Sequence, residues 1–595
     1  MLTTEPPGHR ERQTTSARSL PFSVLSLPLW FSSLRPSLTL LATLALLSAC
    51  ASAGARRSTD GGGYDVVITG GRIVDGTGNP WFYGDVGIRG DRIVRIASRG
   101  ALASSGARLR IDATGLVVAP GFIDIQSHSR GAFLTGDSRV ISKVTQGVTT
   151  EILGEGSTNA PVNDLTLTGA DSASRKLHEP FRGARGFDAW LRAIEARGAS
   201  TNFGSFVGAS TMRMYGKGMA EGAATRAELD TMRAAMTRAM DDGAFGLASA
   251  LIYPPGVFAS TDELVEIAQA MAPYGGVYIT HMRSEADQLL EAIDEALTIG
   301  RRAGVPVEIY HLKAAGQRNW HKAPLAIAKI DSARRAGQDV TADMYAYVAG
   351  GTDLSSCLPP WTSADGKLLE NLRDSATRAR IHADASREYT EWESLCRLAT
   401  PEGVIVVSFR KEENKALEGM RLSEIATRRG TDWVNAVIDL TLEEEDGLGG
   451  LFFIASEENL MLQMRQPWMK FGTDAGGQDP ERARGMTHPR AYGNYPRALG
   501  HYVRELGVMS LEEAVRKMTS AVAARLSIPD RGMLRQGMLA DVVVFDPGTI
   551  IDRATYERPH QLSEGVRHVL VNGVAVVSDG RHTGALPGRA VRKGR

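Results

Sequence analysis

Three cysteines in 595 residues are too few for a disulfide framework, and their spacing builds no thiolate zinc site. Neither sign of charge is in excess. The 68 basic side chains balance 68 acidic ones and form no basic block, which argues against nucleic-acid binding as the main role. Long hydrophobic runs are missing too: the most apolar stretch, Leu38 to Leu47, falls short of the roughly 20 residues a spanning helix needs. No repeat of solenoid type occurs. What is present is globular. With 43% hydrophobic residues there is ample core for one large domain plus a smaller one. The 64 glycines, without a strict period, point to the many tight turns of a loop-rich α/β protein.

The apolar run near the start, with Arg35 before it and Ser48-Ala49-Cys50 after it, has the form of an export-signal core. LLSAC resembles a bacterial lipobox, in which the cysteine is acylated and becomes the mature N-terminus. A plain secretory signal cut near Ala51 or Ala53 is the alternative. The stretch before Arg35 is long for such a signal, which leaves a translation start further downstream open. The expectation is an exported chain, periplasmic or anchored to the outer membrane as a lipoprotein, meeting membrane only through that lipid. Residues 1–50 form the signal and 51–63 a linker. Cys357 and Cys396 remain as a pair that export would allow to oxidise.

Short β-rich runs separated by glycine turns fill the segment from Tyr64, and the same pattern returns from Ala540 to Val577. A small β-sandwich domain built from both ends, 64–118 and 529–592, is expected. Between them, over 119–528, apolar strands alternate with helical patterns, the mark of βα units. Strand candidates lie at Phe122–His128, Val148–Gly154, Asn202–Gly208, Ala244–Ser249, Val277–His281, Pro306–His311, Gln338–Asp343 and Met469–Asp474. That count predicts a (β/α)8 barrel, whose chemistry belongs at the C-terminal strand ends. One unit can be read in detail. Ser284 and Asp287 are spaced as a capping box, Leu290, Ile293 and Leu297 form a helical stripe, and Gly304 stops the helix. The stretch between Asp343 and Met469 is too long for a βα loop, so an inserted lid is expected over about 375–462.

His128, His281, His311 and Asp474 each end a strand, which gathers them on one rim. Each alone is more economically a structural residue; together they read as a metal site. At the first of these ends stands Gln126-Ser127-His128, where i and i+2 side chains share a face and His-x-His would make a compact metal clamp.

These rim residues sit in motifs that resemble a known family. APGFIDIQSH, KVTQGVTTEILGEG, FGLASALIYPPGVFASTDELVEIAQ, GGVYITHMRSE, GVPVEIYHLKAAG, DVTADMYAY, GTDAGG and THPRAYGNYPRALGHYVRE are similar to segments of the N-acyl-D-amino-acid deacylase (D-aminoacylase) branch of the amidohydrolase superfamily, as is the closing PHQLSEGVRHVLVNG. The resemblance implies a zinc-dependent enzyme hydrolysing N-acyl-D-amino acids, with His281 and His311 on the tightly bound zinc and Asp474 as catalytic acid/base. It also implies substrate contacts from Tyr253, Lys313 and Arg490, with Arg490 on the substrate α-carboxylate. A guanidinium fork suits that task because it binds a carboxylate through two parallel hydrogen bonds.

Three departures from the pattern matter. Gln126 stands where the family has the first histidine of His-x-His. Gly156 stands at the place of a bridging cysteine, with Glu155 one residue before it. Ala209-Ser210 stands where relatives commonly carry histidine, a change expected to touch substrate orientation. A carboxylate is a legitimate zinc ligand, so Glu155 is expected to replace the thiolate. One zinc per chain follows, held by Glu155, His281 and His311, with the second position, at His128 and Asp474, weak or empty. His128 then positions Asp474 or stabilises the oxyanion. Two other readings stay open: a dipeptidase or other amide hydrolase of the superfamily, and a lipoprotein that binds a ligand without catalysis.

Overall fold

The computed structural model describes residues 63–387 and 392–594. The segment read as signal and lipobox lies outside them. Among the described residues no helix is long and apolar enough to cross a membrane.

Strands are numbered in chain order. The chain opens with β1 (Tyr64–Ile73), β2 (Phe82–Arg89), β3 (Arg92–Ser98), β4 (Ala107–Asp112) and β5 (Val117–Pro120). β1 is the hub, antiparallel to β2 and parallel to both β4 and β5. Its pairing with β2 shifts register between Ile68 and Gly71, where Gly70 has φ 76° and a Cβ on Gly71 would lie 2.5 Å from a Val118 methyl. Only glycine fits both demands.

The barrel follows, with β6 (Phe122–Asp124), β7 (Val148–Leu153), β8 (Asn202–Ser205) continuing as β9 (Val207–Gly208), β10 (Gly246–Ala250), β11 (Val277–His281), β12 (Val307–Ile309) and β13 (Val340–Met344). An insertion carries β14 (Ala349–Asp353), β15 (Val404–Val407) and β16 (Gly449–Phe453), after which β17 (Met469–Phe471) completes the barrel. All its neighbours pair in parallel. The ring closes where Ser127 bridges Ala475 and Asp474 N donates to Gln126 O at 2.8 Å. Ile123, Ile125, Ile152, Phe206, Ile279 and Tyr310, drawn from different strands, meet in one buried cluster, so the interior is packed rather than a pore. Each expected strand run is present as a strand or continues just past one, and the barrel and the two-ended β-domain are as the sequence predicts.

The helix after β11 corrects one expectation. It spans Leu289–Ala303 with Gln288 as N-cap, so Ser284 and Asp287 form no capping box. Asp287 instead pairs with Arg318 and Asn319, while Ser284 donates to Glu393 of the insertion. Tertiary partners outbid the local cap. Ile293 and Leu297 are buried as the stripe requires, and Gly304 ends the helix at φ 70°.

β14, β15 and β16 form a separate antiparallel sheet, and residues from Leu354 to Ile454 make a second core that also takes in Ala286 and Ala315. The inserted unit thus starts well before residue 375. Cys357 and Cys396 are joined by a disulfide within this unit, closing a separation of 39 residues. Replacing both by serine is expected to destabilise the insertion by about 2–4 kcal/mol, chiefly by freeing the unfolded chain. Urea unfolding under oxidising conditions measures this, and an unchanged midpoint would refute it.

The chain ends on β18 (Val542–Phe545), β19 (Val566–Val571), β20 (Val574–Ser578) and β21 (Arg581–His582). β18 pairs antiparallel with β5, which merges both ends of the chain into one nine-stranded sheet. Val66, Ile68, Val86, Ile88, Val542 and Val544 are buried together across that seam.

Candidate metal centre and active site

Glu155, His281 and His311 meet at the C-terminal mouth of the barrel. Glu155 follows β7, His281 is the last residue of β11 and His311 lies just past β12. Glu155 Oε1 is 3.3 Å from His281 Nδ1 and 3.3 Å from His311 Nε2. These donor atoms all lie within 4.8 Å of one another. A carboxylate wedged between two buried imidazoles is a donor set that suits a zinc ion.

The other oxygen of Glu155 faces a second group. Glu155 Oε2 is 3.3 Å from His128 Nε2, and that nitrogen is 2.9 Å from Asp474 Oδ1. Glu155 is thus common to both clusters, the position a bridging ligand would hold. Gln126 intervenes here, because its amide nitrogen donates to Glu155 Oε2 and its buried oxygen meets no partner. Glutamine lies outside the usual zinc ligands Cys, His, Asp and Glu.

Backbone conformation helps to aim two of these side chains. His311 has φ 31° and Asp474 φ 50°, a left-handed conformation that few non-glycine residues adopt. Neighbouring side chains hold both in place. Asp343 Oδ1 accepts from His311 N at 2.9 Å. Next to Asp474, Thr473 N donates to Asp124 Oδ1 at 2.8 Å. Lys143, fully buried, donates to Asp124 at 2.6 Å and to the Ala475 carbonyl at 2.6 Å. This cation latches the first strand to the last, and so sets His128 beside Asp474.

Asp474 also touches Arg490, whose Nη1 is 2.7 Å from Oδ2, on the side opposite His128. Burial alone would raise the Asp474 carboxyl, but the Arg490 charge and the His128 hydrogen bond hold it below the ordinary carboxylate value. His128 moves the other way. Desolvation would lower it, yet its bonds to Asp474 and Glu155 carry it up to about 9. Arg490 packs on the Tyr345 ring, with the guanidinium 4.6 Å from the centroid, and donates to Gly351 O at 3.0 Å. Its backbone N–H donates to His488 Nδ1 at 3.0 Å. Tyr253 lines the same pocket, and burial pushes its hydroxyl well above the usual phenol value, so it stays a donor at neutral pH. Ser210, one of the departures noted above, lines the outer cleft beside Tyr253.

The structure therefore gathers every site residue expected from the sequence: His128, Glu155, Tyr253, His281, His311, Lys313, Asp474 and Arg490 all line one pocket. Lys313 is less free than expected. Its ammonium lies 2.9 Å from both oxygens of Glu285. Glu285 itself is the residue that sequence reasoning missed. His311 Nδ1 is 2.9 Å from Glu285 Oε1, which leaves Nε2 facing Glu155. Lys313 Nζ lies 2.8 Å from the same Nδ1, so the carboxylate and the ammonium together set the orientation of this imidazole. The only signal was an acid four residues after His281, in text that looked like a helix cap. Glu285→Gln is expected to weaken zinc binding by about 10–100-fold, as loss of a carboxylate behind a ligating histidine does. Competition with a chelator measures this; unchanged zinc affinity would remove Glu285 from the centre.

Comparison with known proteins follows the same lines. A family model for the amidohydrolase family matches residues 459–577. A D-aminoacylase of Alcaligenes xylosoxydans xylosoxydans is 35% identical over 89% of this chain and 98% of its own length. A D-aminoacylase structure, from work on its binuclear metal centre that describes one-metal activation and second-metal attenuation, superposes with TM-score 0.73 at 34% identity, covering 89% of this chain and 100% of that one. An N-acyl-D-glutamate deacylase of Bordetella bronchiseptica, complexed with zinc and a phosphonate mimic of the tetrahedral intermediate, gives TM-score 0.72 at 31% identity, covering 89% of this chain and all 100% of its own.

Proposed function

This chain belongs to the D-aminoacylase family of the amidohydrolase superfamily, and from that premise we propose that it hydrolyses the amide bond of N-acyl-D-amino acids or related compounds containing D-residues. As a metal-dependent amidohydrolase it is an enzyme, which sets aside the reading of a non-catalytic ligand-binding lipoprotein.

The observation that carries the substrate class is Arg490. Its side chain is 5% exposed; Nη1 is held by the ion pair with Asp474, and the buried Nε meets no hydrogen-bond partner. A guanidinium fixed in place beside Asp474, with Nε still to be partnered, suits a substrate carboxylate close to the scissile bond. Cyclic imides offer no such group.

Glu155, His281 and His311 would hold one zinc ion. When bound, zinc supplies Lewis acidity, bringing water toward ionisation near neutral pH and polarising a carbonyl. Asp474 takes the proton from the attacking water at its carboxylate and returns it to the departing amine nitrogen. His128 holds Asp474 through Oδ1 and stands beside the place where an oxyanion would develop. Arg490 orients the amino-acid half, and Tyr253 supplies a neutral hydroxyl to the substrate. With glutamine at position 126, outside the usual zinc ligands, a single ion per chain is the state proposed.

The substrate is a small molecule with a free carboxylate, and neither nucleic acid nor a protein partner is invoked. Export and lipid anchoring through Cys50 complete the proposal, placing the enzyme where D-residue compounds of the cell envelope are met. A panel of N-acetyl-D-amino acids, their L-enantiomers, their carboxamides and D-dipeptides tests the reading. Preference for the D-enantiomer with a free carboxylate supports it; equal cleavage of carboxamides would overturn the role of Arg490.

A further inference from the structure

Beyond His128 the site opens into a second cavity of about 580 Å³. That size is in the range that encloses a whole small-molecule ligand. Leu134, Val162, Leu167, Leu177 and Met214 supply its apolar wall, and Thr158, Asn159, Thr166 and His178 are among the polar groups that also line it. Val162 and Leu167 are buried on the main core behind, so the floor is built rather than loose. His128 and Arg130 line both this cavity and the outer cleft of the active site, so the two spaces meet beside the reacting groups. Arg130 keeps that junction shaped, donating from Nη1 to the Ser157 carbonyl at 2.7 Å and to its hydroxyl at 2.8 Å.

Which half of a substrate enters follows from the two sides of Asp474. Arg490 meets Oδ2 and His128 meets Oδ1, so they flank the carboxylate from opposite directions. A substrate carboxylate on Arg490 places the amino-acid half on that side. The acyl half then points past His128. We propose that this cavity is the acyl-binding site and that the preferred substrates carry a medium-length or arylalkyl acyl group, not acetyl. The inference rests on the reading of Arg490 given above.

An acetyl group would leave the cavity walls in contact with water, whereas each further methylene buried there contributes about 0.8 kcal/mol, or about fourfold in kcat/KM when fully realised. The test is a series of N-acetyl, N-butanoyl, N-hexanoyl, N-octanoyl and N-phenylacetyl derivatives of whichever D-amino acid serves best in the acetyl form. kcat/KM is expected to rise at least about tenfold from acetyl to hexanoyl. Leu134→Trp and Leu177→Trp, which fill the cavity from two walls, are expected to collapse the hexanoyl-to-acetyl ratio by about fivefold or more. A flat or falling series, or an unchanged ratio in variants with the parent's melting temperature and zinc content, overturns the acyl site while leaving the deacylase reading intact. Failure to cleave any member of the series overturns both.

Discussion

Asp474→Asn is expected to lower kcat by about 10²–10⁴-fold, the usual contribution of a positioned general acid/base, while the protein keeps its zinc. Asparagine has nearly the same shape and still offers His128 an oxygen to bond at Oδ1, so the strand-end geometry should survive. It has no carboxylate to take a proton from water or to return one to the amine. It also removes the negative partner 2.7 Å from Arg490, leaving that cation to the substrate alone. KM is therefore expected to stay level or fall, so the loss should appear in kcat. Steady-state kinetics with elemental analysis decide it. A zinc-replete variant with parental turnover would remove Asp474 from proton transfer; loss of a metal equivalent would make it a ligand.

Glu155→Ala should show the second large effect. One zinc per chain is expected in the parent and well below one in the variant, a loss in affinity greater than the roughly 10–100-fold anticipated for Glu285→Gln. Two facing imidazoles without the carboxylate are an incomplete site, since catalytic zinc takes three protein ligands. Activity should fall with occupancy and return in part when excess zinc is supplied. Zinc retained at parental affinity would refute the substitution of a carboxylate for the thiolate. Two ions per chain in the parent would mean that Gln126 accommodates a binuclear centre, and the single-ion proposal would fail.

The two changes share a physical origin. Glu155 presents one oxygen to His281 and His311 and the other to His128 and Gln126. Its neighbours include imidazoles on both sides, and burial that would raise its carboxyl is overcome by those contacts. Removing it should therefore disturb both the metal and the placement of His128.

Much of this was legible in the sequence, because the signals were local. A βα alternation predicts parallel strands, and polar residues ending those strands face one mouth, so His281, His311 and Asp474 could be grouped before any coordinates. The β-rich text at both ends likewise had one economical pairing, now made by β5 and β18. Position along a strand sets which way a side chain points, and that rule needs no tertiary information.

Other features had no local signal. Glu285 looked like part of a helix cap, yet the helix begins later and its carboxylate holds His311 and Lys313. Lys143 and Asp124 are 19 residues apart and read as unremarkable charges, but their ion pair is wholly buried at the barrel seam. Cys357 and Cys396 became a disulfide only because the insertion packs the short helix ending at Cys357 against the one that holds Cys396. The sequence by itself determined the barrel, its flanking β-domain and the identity of the rim residues, since these follow from periodicity and from side-chain direction along a strand. Only the tertiary structure decided which charges meet, how Glu155 is shared and where a cavity opens beyond His128, because contact between side chains distant in the chain is set by packing, which no local pattern encodes.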